Sequence, residues 1–313
     1  MANLILIAIV ALIGVIAASD IIVNAAQKIA RNLKISELVI GLTVTAIGTN
    51  LPEIFTTIAA SLNNLKGIES SGIALGNIVG SCTANITIIL GLCGIFSIFV
   101  FRRKSLYRDC LAMFLSAFLV IILSLDRRIS QIEGIVLIMI YAGYLLFMLE
   151  REKVTKTEIE YPKSNMFINL ILIAAAITAL ILFAEILVNN AVKIAALFAV
   201  PESLIGVLIG LGTSMPELAV SFVAIIRKSG MLSIGNLLGS NIANTLLVLG
   251  LGGVISGFNV GASIIQFDMI FWIASTVIVT LLLFNHLNLN SKESSVLFVL
   301  YVLYIYLKIT YSL

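Results

Sequence analysis

The sequence predicts an all-α polytopic membrane protein of ten transmembrane helices, arranged as two inverted five-helix repeats. Three observations carry that expectation. The chain is 60% hydrophobic and only 11% charged over its 313 residues, with a mean hydropathy of +1.15. Its apolar stretches suffice for ten bilayer crossings of about 20 residues each. Segments of the first half also recur, in order, in the second. A composition this apolar excludes a soluble domain.

Taken in order, the predicted spans are 3–30, 36–63, 71–99, 107–125, 132–150, 166–198, 203–226, 232–257, 264–285 and 294–311. The first could be mistaken for a secretory signal ending at Ala17-Ala18-Ser19, but it has no basic start, and its counterpart lies in mid-chain. It is therefore expected to stay as a span. The second and seventh carry Pro52 and Pro216 inside apolar sequence, where proline removes a helical hydrogen bond and breaks the turn. Cys82, Cys93 and Cys110 lie in or beside apolar segments without metal-ligand spacing and read as packing residues. His286, the single histidine, falls near a loop and reads as an interfacial side chain.

The charged stretch 150–163 separates the halves. It sets the expected organisation: a first repeat over 1–150, a short cytoplasmic linker over 151–165 and a second repeat over 166–313. Alternating loops collect Lys28, Arg31, Lys34, Arg102, Arg103, Lys104, Arg108, Arg151, Lys153, Lys156, Lys163, Arg227, Lys228 and Lys292 on one side, leaving Lys66, Arg127, Arg128, Lys193 and Lys308 on the other. The richer side is expected in the cytoplasm, with both termini extracellular in the cell membrane. The cluster 102–108 could also attract anionic lipid.

The repeat is specific. Ser19 to Ala30 aligns with Ala184 to Ala195 at an offset of 165, Gly48-Thr49-Asn50-Leu51-Pro52-Glu53 with Gly212-Thr213-Ser214-Met215-Pro216-Glu217 at 164, and Gly76-Asn77-Ile78-Val79-Gly80-Ser81 with Gly235-Asn236-Leu237-Leu238-Gly239-Ser240 at 159. Five spans per half, an odd number, put the second copy upside down relative to the first. Inverted repeats of this kind place a binding site near the midplane where the copies meet.

Glu53 and Glu217 stand at matching positions in those spans. A carboxylate at the bilayer centre costs roughly 2.5–3.5 kcal/mol, and no buried basic residue is at hand for either, so a bound cation is the simplest compensation. Thr49 with Glu53, Thr213 with Glu217, Ser81 with Asn85 and Ser240 with Asn244 are each four residues apart, hence on one helix face. Together these side chains, with Asn50, Ser214 and the carbonyls freed by the prolines, form an all-oxygen donor set suited to Ca2+ or Na+ and unsuited to a transition metal. Two glutamates balance one Ca2+ or two Na+, and protons could take the place of sodium. Taken singly, the serines and glycines are also compatible with close helix packing. Asp20 and Glu185 form a second symmetric acidic pair, expected at a helix bend or in a wetted cavity.

These segments resemble the two alpha repeats of the calcium/cation antiporter superfamily, and most closely its prokaryotic sodium/calcium exchangers. The resemblance runs through spans one to three and six to eight. It implies a central site of Glu53, Asn85, Glu217 and Asn244. It also implies flanking sodium sites at Thr49, Ser81 and the Ala46 carbonyl in one half, and at Thr213, Ser240 and the Gly210 carbonyl in the other. The first and sixth helices are implied to slide and open the site to one side at a time. Asn244 replaces an aspartate found in some members and in the potassium-dependent branch, which argues against potassium co-transport. The second repeat is also one residue shorter between Gly206 and Gly212 than the first between Gly41 and Gly48. The expected activity is Ca2+/Na+ antiport, with Ca2+/H+ antiport as the alternative and a passive channel or an intramembrane enzyme as more distant ones. Ca2+ and Na+ are then substrates in a lipid bilayer. No organic cofactor, nucleic acid or obligatory protein partner is expected.

Overall fold

Apolar sequence without proline lets the chain begin in a 32-residue helix, α1 (Ala2–Leu33), and the second half begins in another of the same length, α7 (Met166–Leu197). At 1.5 Å per residue each is about 48 Å long, more than a bilayer core of about 30 Å, which leaves room for tilt or for ends that reach past the core. They pack on each other through Val15, Ile22 and Ala26 against Ile173, Ile177 and Leu180. Leu6, Ile13, Phe167 and Ile171 point outward, where lipid would meet them.

The computed structural model describes residues 2–96, 99–100, 103–151, 165–198, 211–286 and 288–310. The remaining elements are α2 (Glu37–Thr49), α3 (Leu51–Leu65), α4 (Ser71–Phe96), α5 (Arg103–Leu123), α6 (Gln131–Arg151), α8 (Met215–Ile226), α9 (Gly230–Ser256), α10 (Ile264–Phe284) and α11 (Ser291–Thr310). Among the described residues eight helices are long and apolar enough to cross a membrane, or nine if α2 and α3, bent by 47° at Asn50, form one span. The expected span 203–226 is described only from Leu211, and the linker 151–165 only at its ends.

Helices α4 and α9 form the centre of the molecule. Gly41 and Gly235 let α2 cross α9 closely: a Cβ on Gly235 would lie 2.5 Å from the Leu38 carbonyl oxygen, and one on Gly41 would lie 2.6 Å from that of Leu232. Among the described residues four helical stretches are wound as π turns, at Gly41–Thr45, Asn85–Ile89, Asn244–Val248 and Ile264–Met269. The first lies within the stretch that is one residue longer in the first repeat than in the second. A π turn takes up an extra residue without breaking the helix.

Among the described residues the all-α expectation is amended by four two-residue strands, β1 (Phe99–Val100), β2 (Arg128–Ile129), β3 (Phe258–Asn259) and β4 (Asn288–Leu289). Antiparallel pairing joins β1 to β4 and β2 to β3, with Phe99 opposite Leu289 and Phe258 opposite Ile129. Each pair joins the two halves, and the two registers are images of each other under the repeat. A second correspondence had no sequence signal. The buried Asp109 accepts from Tyr144 Oη (3.1 Å) and Arg108 Nε (2.6 Å), while Asp268 accepts from Tyr304 Oη (2.6 Å) and Lys308 Nζ (2.7 Å). Arg108, read as part of a basic loop cluster, is thus engaged with a buried carboxylate. Cys82, Cys93 and Cys110 are buried within the core, and His286 ends the helical stretch that begins at Ile270.

Candidate cation-binding site

Pro52 and Pro216 each occupy the start of a helix, directly after a break at Asn50 or Ser214. Proline tolerates that position because the first helical N–H groups have no partner within the helix. The break puts Glu53 and Glu217 in the first turns of α3 and α8, where the positive end of the helix dipole favours a carboxylate. Both are fully buried. Among the described residues neither forms an ion pair with lysine or arginine.

The polar residues of α4 and α9 meet these breaks in matched pairs. Ser81 Oγ donates to Glu53 Oε1 at 3.0 Å, and Ser240 Oγ to Glu217 Oε1 at 3.2 Å. Ser214 Oγ donates to Ser81 Oγ at 3.0 Å, while Asn50 exchanges two bonds with Ser240, Oγ to Oδ1 at 3.0 Å and Nδ2 to the main-chain oxygen at 3.3 Å. Thr49 Oγ1 donates to Asn236 Oδ1 at 3.3 Å, and Thr213 Oγ1 to Asn77 Oδ1 at 3.1 Å. Every one of these links joins an element of one motif to its partner motif, and the second and third kinds cross between the halves of the chain.

Asn85 and Asn244 each open a π turn, in α4 and α9 respectively. Such turns recur at functional positions. Asn244 Nδ2 donates to Ser81 Oγ at 3.3 Å, which brings an α9 residue onto the hydroxyl that holds Glu53. Four buried acceptor oxygens in this cluster have no donor: Glu53 Oε2, Asn85 Oδ1, Glu217 Oε2 and Asn244 Oδ1. Leaving a buried acceptor unmatched costs about 1–3 kcal/mol, and more when it is charged. Close packing would explain the glycines, but it gives no account of four orphaned oxygens contributed equally by the two halves.

The other expected ligands are distributed as follows. The Ala46 carbonyl receives Thr49 Oγ1 (3.3 Å) and the Asn50 N–H (3.1 Å), so two of the three groups expected in that flanking site meet. Asn50 and Ser214 act as cross-ties between the halves. Gly210 lies outside the described residues. Asp20 is paired through both carboxylate oxygens with Arg227, whereas Glu185 is exposed and borders a cavity. Asn77 and Asn236 were not among the expected ligands, although both stand in the repeated Gly-Asn motif. Their spacing was the available signal: Asn77, Ser81 and Asn85 recur every four residues, as do Asn236, Ser240 and Asn244.

A bundle of bilayer-length helices with paired carboxylates buried in its core is that of a multi-pass membrane transport protein. The chain belongs to the sodium/calcium exchanger protein family, whose sequence profile matches residues 3–150 and 168–310. It is 29% identical over 349 residues to the sodium/calcium exchanger MaX1 of Methanosarcina acetivorans, covering 96% of this chain and 97% of that one. It is 31% identical to the inner membrane protein YrbG of Escherichia coli over 79% of this chain and 78% of that one. Among solved structures it is similar to the sodium-calcium exchanger NCX_Mj soaked without Na+ and Ca2+, with a TM-score of 0.84 and 29% identity over 97% of this chain and 99% of that chain. The same exchanger soaked with both ions gives a TM-score of 0.81 at 30% identity, over 95% of each chain.

Proposed function

We propose that this protein is a secondary antiporter that exchanges Ca2+ for Na+ across the cell membrane by alternating access. The observation that carries the reading is the set of four unmatched acceptor oxygens on Glu53, Asn85, Glu217 and Asn244. Ca2+ takes six to eight hard oxygens, and two carboxylates neutralise its charge. Thr49, Ser81, Thr213, Ser240 and the Ala46 carbonyl flank that centre and are assigned to Na+, together with the Gly210 carbonyl that the family resemblance implies, with Asn50 and Ser214 completing the oxygen-rich surround. Either ion population satisfies the glutamates. An empty site leaves two charges without compensation and resists crossing, which is what couples the two fluxes.

The architecture that goes with this function is ten spans in two inverted repeats, 1–150 and 166–313, with 151–165 as a cytoplasmic linker and both termini extracellular. The twinned strand registers and the matched hydrogen bonds around the glutamates support the duplication. The excess of Lys and Arg on one set of loops supports the orientation. In that orientation α3 and the open cavity near Glu185 lie toward the outside, and α8 with the Asp20–Arg227 pair lies toward the cytoplasm.

Purified protein in liposomes tests the choice of driving ion. Ca2+ uptake is measured into vesicles loaded with Na+ at equal pH on both sides, and into sodium-free vesicles with an acidic interior. Uptake in the sodium-loaded vesicles and none above background in the acidic ones is the expected result. Uptake driven by the proton gradient alone would replace this reading with Ca2+/H+ antiport.

A further inference from the structure

A cavity of about 350 Å³ opens between α3, α7 and α8. Its lining includes Pro52, Pro216, Thr56 and Thr213, and on α7 Glu185 and Asn189 beside the apolar Ile181, Ala184 and Val188. At about 30 Å³ per water, that volume accommodates a cation with its first hydration shell. Glu185 and Asn189 are four residues apart and share a helix face. Thr213, at the cavity wall, is the same residue that donates to Asn77 in the buried cluster, so the cavity abuts the site.

The repeat offers a control within the molecule. Glu185 corresponds to Asp20 at the offset of 165, and Arg227, which neutralises Asp20, corresponds to the uncharged Asn63 at the offset of 164. One acid of the pair is thus supplied with a cation by the protein. The other is exposed beside a cavity, and among the described residues it has no ion-pair partner. A carboxylate facing a cleft with low-dielectric walls raises the local cation concentration.

We propose that Glu185, with Asn189 beside it, is a capture site for a hydrated divalent cation on its way to Glu53 and Glu217. This rests on the exchange reading above. The side chain holds the ion through its water shell in the cavity, and dehydration follows deeper in, where the buried oxygens replace water.

The test is Ca2+ uptake into sodium-loaded proteoliposomes, titrated with external Ca2+ at low ionic strength and again with added choline chloride, for the wild type, Glu185→Gln and Glu185→Lys. Neutralisation is expected to raise the half-saturating Ca2+ about 5-fold at low ionic strength, and charge reversal to raise it further. Added salt should shrink both shifts, because it screens a solvent-exposed charge. A half-saturating Ca2+ equal to wild type in both variants would overturn the capture role, as would a shift that salt does not reduce. If the wild type itself shows no sodium-dependent uptake in the same vesicles, the exchange reading falls and takes the capture role with it; if only the variants match the wild type, capture alone is refuted.

Discussion

Around Glu53 the hydroxyl of Ser81 has one proton and one acceptor for it; around Glu217 the hydroxyl of Ser240 has one proton and two. Ser81 Oγ donates to Glu53 and receives from Ser214 Oγ and Asn244 Nδ2, which uses the full capacity of a hydroxyl. Ser240 Oγ faces Glu217 Oε1 at 3.2 Å and Asn50 Oδ1 at 3.0 Å as acceptors. The difference traces to one substitution between the repeats, Asn50 against Ser214. Serine can give its own proton to the neighbouring hydroxyl, whereas the amide oxygen of asparagine competes for that hydroxyl's proton. The two carboxylates are thus held by unlike hydroxyl networks.

The largest expected effect breaks both halves alike. Glu53→Gln and Glu217→Gln each remove one of the two charges proposed to balance Ca2+, so exchange in proteoliposomes should fall at least about 100-fold, equivalent to about 2.7 kcal/mol. Folding, followed by a monodisperse elution profile and an intact thermal transition, should survive because the amide keeps the shape. Exchange near wild-type levels in either variant would remove that residue from the site. A smaller effect separates the halves. Ser214→Asn imposes a competing acceptor on Ser81 and should lower exchange about 5- to 10-fold, on the order of one hydrogen bond of about 1 kcal/mol. Asn50→Ser gives the second half the pattern of the first and should stay within about 3-fold of wild type. Equal losses in the two variants would mean that proton counting at Ser81 and Ser240 does not govern the site.

Much of this was legible in the sequence because membrane insertion penalises the informative residues so heavily. Glu53 and Glu217 stand out in apolar spans, and the duplicated Gly-Asn and Pro-Glu motifs mark which residues share a face. The break at Asn50 followed from Pro52 alone. The rest required three dimensions. Nothing in the spacing of Asp109 and Tyr144, or of Asp268 and Tyr304, says that they bond, since the members of each pair are 35 or 36 residues apart on different helices. The π turns that begin at Asn85 and Asn244 have no compositional signature of their own. The unlike fates of Asp20 and Glu185 were hidden as well, because the pairing of Asp20 with Arg227 joins residues 207 positions apart.

The same inequality between the halves reaches the rim, and there it gives the smallest effect. Glu69, in the loop between α3 and α4, accepts from the Ser71 N–H at 3.0 Å and from Asn259 Nδ2 on β3 at 2.9 Å. At the twin position, an offset of 159 places Lys228 and Val100, which cannot form that link. Hydrogen bonds from Ser71 and Asn259 hold the Glu69 carboxyl below its ordinary range. A carboxyl whose folded value is depressed stabilises the fold above its unfolded value and loses that contribution as pH falls through the folded one. The wild type should therefore lose a little thermal stability on acidification below about pH 4.5 that Glu69→Gln does not lose. The group is almost fully solvated, so the difference in Tm between the two proteins should be only about 1–2 °C at neutral pH and should shrink toward acid. Thermal unfolding of both in detergent across that range measures it. A difference that stays constant with pH would assign the effect of the substitution to lost packing instead of lost charge.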